Sequence, residues 1–223
     1  MPIDTTFGHV THFDDFLGDS FNSFLYTVNA DTGGTTEIAE DSNGILRLAN
    51  DGTNGDINNV FTAELWKPSA SGPLIFEARV RASSLSTGIF VGLTDDNDAD
   101  EVPIDLDTGT LTTTASDAVG FVLDSQETAA TWFMCSVKAN TDGAQTAATA
   151  GPNALAVAST YQTLKVVLNA DGDALFFING KQVGSREACV TTSVALCGAV
   201  AQLASGTASN VDVDYIYLCA PRV

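Results

Sequence analysis

The densest set of hard oxygen ligands in the 223-residue chain is Thr94-Asp95-Asp96-Asn97-Asp98-Ala99-Asp100-Glu101, a loop-like run behind an apolar segment. Calcium takes such carboxylates as ligands. The run reads first as a solvated acidic loop that needs no cofactor, with Asp95, Asp96, Asp98 and Asp100 as the candidate ligands of a structural Ca2+. The run is not an EF-hand loop: counted from Asp96, Glu101 stands at the sixth position where glycine is needed, and Asp107 rather than glutamate falls at the twelfth. Without an ion it reads as a solvated acidic loop.

Nucleophilic catalysis finds little to work with. The two histidines, His9 and His12, lie near the N-terminus beside turn-forming or acidic residues, so a Ser-His-Asp site would have to recruit its base from an exposed arm. Cys135, Cys189, Cys197 and Cys219 lack CxxC spacing and have no nearby histidine, which disfavours zinc. Cys135 and Cys219 fall inside apolar runs as small core residues, and a Cys189–Cys197 bridge is left open. Aromatic rings on a sheet face can stack on sugars; Trp66, Trp132, Tyr161, Tyr215 and Tyr217 are candidates, with Trp66 and Trp132 singled out. Packing in the core or across strands is the commoner use of such rings.

The elements that must position these residues are strands. Apolar residues make up 44% of the chain but come in short runs cut by Gly, Asn, Asp, Ser and Thr, which argues for strands and turns over long helices or disorder. From Tyr161 to Ser185, Asp171-Gly172 and Asn179-Gly180 divide three strand-like runs, because both dipeptides supply the positive φ of tight hairpin turns. Pro73 to Arg81 alternates so that Glu77, Arg79 and Arg81 share one face and Phe76, Ala78 and Val80 the other. Gly44–Ala49, Gly88–Leu93, Val119–Leu123, Thr131–Lys138 and Asn210–Leu218 read as further strands, whereas Ala195–Leu203 fits strand or short helix. The layout predicts one all-β domain over 13–223, a two-sheet antiparallel jelly-roll sandwich, preceded by an N-terminal arm over 1–12. No fixed-period repeat points to a propeller or solenoid.

With 28 acidic residues against 9 basic ones the net charge is −19. Nucleic acid and anionic membranes are therefore unexpected partners, since either would add repulsion. The start, Met1 to Phe7, has neither the basic nor the apolar region of a secretion signal, and no stretch approaches a membrane span.

The "YQTLKVVLNADGDALFFINGKQVG" of Tyr161 onward resembles the penultimate region of laminin-G-like and concanavalin A-like domains. The closing "VDVDYIYL" of Val211 to Leu218 is similar to the last strand of that superfamily, including its glucanase branch. The opening "FDDFLGDSFNSFLYTV" with the later "GILRL" matches how such domains begin. The resemblance implies a concanavalin A-like jelly roll, in a superfamily of lectins, carbohydrate-binding modules, glycanases and tailed-bacteriophage capsid proteins. The style of the chain is most similar to virion proteins that decorate the phage head.

A glucanase would need an ExDxE-type triplet that puts nucleophile and acid on one strand face, and none occurs. Glu77 is followed at i+2 by Arg79 and Glu64 by Trp66, while Asp212 and Asp214 share a face on the closing strand. The expectation is thus a protein that is not an enzyme: a capsid decoration or cement protein on the virion exterior, made in the host cytoplasm. Its partners would be the major capsid protein and copies of itself. The alternative is a carbohydrate-binding or lectin-like adhesion protein that meets cell-surface glycans.

Overall fold

The structure, a computed structural model, describes residues 8–39, 44–98, 101–104, 114–126, 130–143, 145–149 and 154–222. Among them are sixteen strands: β1 (His9–Asp14), β2 (Tyr26–Ala30), β3 (Thr35–Ala39), β4 (Ile45–Asn50), β5 (Ile57–Thr62), β6 (Leu74–Ala82), β7 (Thr87–Thr94) and β8 (Ala118–Leu123). The second half of the chain supplies β9 (Phe133–Lys138), β10 (Thr141–Asp142), β11 (Thr146–Ala147), β12 (Gln162–Leu168), β13 (Ala174–Ile178), β14 (Lys181–Arg186), β15 (Cys197–Ala204) and β16 (Ser209–Pro221).

They form two antiparallel sheets. Sheet A runs β14-β13-β12-β6-β16-β4-β3 with β1 added on β16, and sheet B runs β10-β9-β8-β7-β15-β5-β2 with β11 added on β9. The two-sheet jelly roll expected from the sequence is what the chain forms, and the β12–β13–β14 meander turns where expected. Gly172 (φ +89°), Asn179 (φ +50°) and Gly180 (φ +76°) adopt the left-handed conformation that those turns require.

Between the sheets lies one core. Strand β6 alternates strictly, with Leu74, Phe76, Ala78, Val80 and Ala82 buried and the residues between them half-buried. Phe121 meets Phe176 and Trp132 edge-on, with ring centroids 5.4 and 6.5 Å apart. Each fully buried aromatic of this kind contributes about 1.5–3 kcal/mol by leaving water.

Sheet B differs from sheet A in being covered on both sides. Its outer face carries a second apolar cluster of Phe61, Phe90, Val122, Cys135 and Val137, onto which Val102, Ile104 and Ala115 pack. The central strands are consequently buried along their whole length. This cluster explains two strand glycines. A Cβ on Gly120 would stand 2.6 Å from the Val91 carbonyl and 2.8 Å from the Phe90 ring, and one on Gly92 would stand 2.4 Å from the Val119 carbonyl.

The structure decides one open sequence reading and moves one boundary. Ala195–Leu203, ambiguous between strand and helix, contributes to β15, which pairs β5 and β7 in the centre of sheet B. Of the arm expected over 1–12, residues 1–7 lie outside the described residues; from His9 the chain belongs to sheet A, where β1 pairs residue by residue with the end of β16, so the boundary at residue 12 falls inside a strand.

Candidate functional site

Sheet A leaves its outer face in contact with solvent, and side chains from five strands meet there. Ile75, Glu77, Arg79 and Arg81 project from β6, Lys165 from β12, Arg47 from β4, Phe13 from β1, and Asp212, Tyr215 and Tyr217 from β16. A register shift between Val213 and Tyr215 places Asp214 at a bulge.

The charges at the centre of this face are paired. Arg47 donates to both oxygens of Asp212, Nε to Oδ1 at 2.7 Å and Nη2 to Oδ2 at 3.1 Å, and Arg81 closes on Oδ2 from the other side. Arg79 holds Asp214 at 2.7 Å, and Lys165 holds Glu77 at 2.7 Å. Burial by itself would raise the Asp212 pKa, but the hydrogen bonds and charges of the two arginines outweigh it and hold the carboxyl below its ordinary value. Asp212 is thus a stable anion, unsuited to donate a proton near neutrality. The Arg79 and Arg81 guanidinium groups lie 4.3 and 4.6 Å from the Tyr161 ring centre, so that ring is capped by cations.

Beside the ion pairs is an aromatic patch. Phe13 pairs across strands with Tyr217, and its ring lies 5.7 Å from that of Tyr215. Phe13 is 59% exposed and the two tyrosines are half-buried. Tyr215 donates its hydroxyl to Glu77 Oε1 at 2.8 Å. Burial, then the hydrogen bond to Glu77, pushes its pKa up to about 12. The result is an open, nearly neutral surface of three rings with Glu77, Lys165 and Arg79 beside them.

The two tryptophans singled out from sequence sit elsewhere. Trp132 is buried at 3% exposure and donates its indole N–H to Gln162 Oε1 at 3.1 Å. It has no open ring face for a sugar, which corrects the reading of it as a stacking residue. Trp66 is also mostly buried and is fixed by paired main-chain hydrogen bonds with Leu196, of 3.0 and 2.7 Å. One side of it lines a cleft of about 440 Å³ with Val10, Leu65, Lys67, Pro221 and Arg222. A more open, polar cavity of about 610 Å³ lies at the far edge, where Ser136, Lys138, Asp142, Ser185, Arg186 and Glu187 line it.

The acidic run is tied up locally where it is described. Asp95 accepts from the Asp117 N–H at 2.8 Å, and Asp96 accepts from the Asp98 N–H at 2.9 Å and the Thr114 hydroxyl at 3.0 Å. Asp100 lies outside the described residues. Among the described residues no three His, Cys, Asp or Glu side chains converge as a metal centre would require. Nor is His12 an exposed arm residue: its Nε2 lies 2.7 Å from the Tyr26 hydroxyl, which donates to Asp14 Oδ2 at 2.9 Å. Burial lowers the His12 pKa against the opposing pull of Asp14, and the chain of bonds ties β1 to β2 across the sandwich. All four cysteines are free, so the Cys189–Cys197 bridge is not formed.

Phe13 was invisible as a site residue in the sequence, because its partners Tyr215 and Tyr217 lie about 200 positions away. The alternation of Tyr215 and Tyr217 did place those two on one face.

No protein-family model matches the chain, and no curated protein matches it. Solved structures do. A β-glucanase of Bacillus licheniformis is similar with a TM-score of 0.64 at 10% identity, over 95% of this chain and 98% of that one. The endo-1,3-β-glucanase of Streptomyces sioyaensis gives 0.63 at 14% identity, over 96% and 98%. The carbohydrate recognition domain of Emp47p gives 0.63 at 9% identity, over 96% and 95%. These likenesses show the fold, the two-sheet jelly roll that these proteins share. They also correct the expectation that it is not an enzyme. Glycoside hydrolases have this fold over nearly the whole chain, and a missing ExDxE triplet does not remove glycan hydrolysis from the activities to be measured.

Proposed function

We propose that this protein is a glycan-binding jelly-roll domain that uses the outer face of sheet A. The observation that carries the reading is the solvent-facing aromatic patch of Phe13, Tyr215 and Tyr217 beside the paired side chains of Glu77, Lys165 and Arg79. Sugar rings present apolar C–H faces and a rim of hydroxyls. Aromatic rings take the former, and charged donors and acceptors held in place by ion pairs take the latter. The patch is an open strand surface rather than an enclosed pocket, which suits an extended polysaccharide better than a monosaccharide. That several structures with this fold are glucanases or a carbohydrate recognition domain supports the same reading.

The test is affinity electrophoresis and pull-down against β-1,3-, β-1,4- and mixed-linkage glucans, with reducing-end release followed in the same samples. Phe13→Ala removes an exposed ring at little cost to the core. It should weaken binding by about 1–2 kcal/mol, roughly five- to thirtyfold in Kd. Absence of binding across the panel, or binding indifferent to Phe13→Ala and Tyr217→Ala, refutes the reading. The narrower expectation of a virion decoration protein rests on sequence style alone. Mass spectrometry of purified particles, and binding to capsids that lack the protein, measure it directly.

A further inference from the structure

Nine basic residues serve a chain of net charge −19, so the surroundings of each cation are informative. Arg47, Arg79, Arg81 and Lys165 are ion-paired on the outer face of sheet A, and Arg186 donates to the Met134 carbonyl. Lys67, Lys138, Lys181 and Arg222 make no ion pair among the described residues, and of these Lys67 and Arg222 share a cleft. Both are exposed, neither side chain has an ion-pair or hydrogen-bond partner among the described residues, and both line the same 440 Å³ cleft. Among the described residues no acidic side chain lines it. In so acidic a protein, a cleft edged among the described residues by two cations and no carboxylate is an electrostatic exception.

The rest of the cleft is apolar. Val10 is 39% exposed and Leu65 74%, while Trp66 and Pro221 are buried beneath them. The walls are fixed in place. Trp66 is held by its two hydrogen bonds to Leu196, Val10 pairs with Ala220, and the Arg222 N–H donates to the Gly8 carbonyl at 2.6 Å. A preformed apolar cleft with a small number of oriented charges is the usual form of a small-molecule site, and its volume falls within the range of about 300–1,000 Å³ for such sites.

We propose that this cleft binds an amphipathic monocarboxylate, its apolar body against Val10, Leu65, Trp66 and Pro221 and its carboxylate between Lys67 and Arg222. The global field does not forbid this. At physiological salt, charges beyond a Debye length of about 8 Å are largely screened, so a small monoanion responds mainly to the two adjacent cations. A polyanion would extend into the surrounding negative surface, which is why a single carboxylate on a compact apolar body is the better match. Covering Leu65 and Val10 supplies the remaining drive, as apolar surface leaves water.

Octanoate is the probe, and intrinsic fluorescence is the readout, because the chain has two tryptophans and the other, Trp132, is sealed in the core with its N–H bonded to Gln162. Octanoate should produce a saturable change. Octanamide, which matches its size without the charge, should bind at least tenfold more weakly, and glucuronate, an anion without the apolar body, should not saturate. The double variant Lys67→Met and Arg222→Met should lose at least tenfold in affinity for octanoate with its thermal unfolding unchanged. Leu65→Asp, a surface change, should do the same. Trp66→Phe should abolish the signal. The proposal is overturned if octanoate gives no saturable change, if octanamide binds as tightly, if the charge variants bind as the parent does, or if the signal survives Trp66→Phe.

Discussion

Asp212→Ala tests the ion network of sheet A, and its cost can be worked from the geometry. The Asp212 side chain is 6% exposed and is the shared counter-ion of Arg47 and Arg81. Removing one partner of a buried pair costs about 3–5 kcal/mol, mostly because a charge is left uncompensated. Here the stranded groups are arginines whose side chains are 29% and 31% exposed. Water can therefore reach them, and the loss is reduced to about 2–3 kcal/mol. In a chain of this size that corresponds to a fall in Tm of about 4–12 °C. Urea unfolding at pH 7, followed by fluorescence, should show a lower midpoint with an unchanged m value. The pH dependence is diagnostic. Asp212 has its folded pKa depressed, so its contribution is complete above the unfolded value of about 3.9 and disappears as pH falls through the folded value. The gap between parent and variant should therefore close as pH drops below about 4. Adding Arg47→Met and Arg81→Met to the variant should recover part of the loss, since no unpaired cation then remains. A gap under about 0.5 kcal/mol at pH 7, the level of an ordinary surface change, or a gap that stays constant from pH 7 to pH 3, refutes this account.

Three further outcomes follow from the packing. Trp132→Ala empties a core position and removes one of the hydrogen bonds of Gln162, which keeps those to Val157 and Leu155; it should destabilise by about 3–5 kcal/mol in urea unfolding, without the selective loss of glycan binding expected of Phe13→Ala. Gly120→Ala forces a Cβ against the Val91 carbonyl and the Phe90 ring; a loss of about 1–3 kcal/mol is expected by the same measurement, and a neutral result would mean the cluster outside sheet B is loosely packed. Burial pushes the Cys135 thiol up to about 12 and the Cys189 thiol up to about 11, so both stay protonated at pH 8. Titration of the native protein with a thiol-specific disulfide reagent should therefore modify the half-exposed Cys219 rapidly and the other three only on unfolding.

Much of the fold could be read locally. The meander from Tyr161 to Ser185 was legible because Asp171-Gly172 and Asn179-Gly180 carry the backbone chemistry of tight turns whatever surrounds them. Strand β6 was legible because period-2 alternation is a property of its own residues. Strand β1 was not: His9 to Asp14 has a weak pattern, and it is a strand because β16 offers it an edge. The candidate site was legible by half. Tyr215 and Tyr217 share a face by spacing, but Phe13 joins them through a pairing that spans most of the chain.

The sequence by itself determined which neighbouring residues share a strand face, where the tight turns fall, and that the surface is strongly acidic. These depend on φ preferences, on a two-residue period and on a count of charges. Only the tertiary structure decided which faces are covered and which charges meet. Alternation says that Trp132 and Phe133 point opposite ways without saying which way is inward, since one residue of register reverses every facing. It buried the tryptophans chosen for sugar stacking and left Phe13 in solvent. It laid a second apolar cluster on sheet B, and it brought Arg47, Arg81 and Asp212 together from three strands. Each of these depends on segments far apart in the chain, whose proximity is set by packing rather than by local sequence.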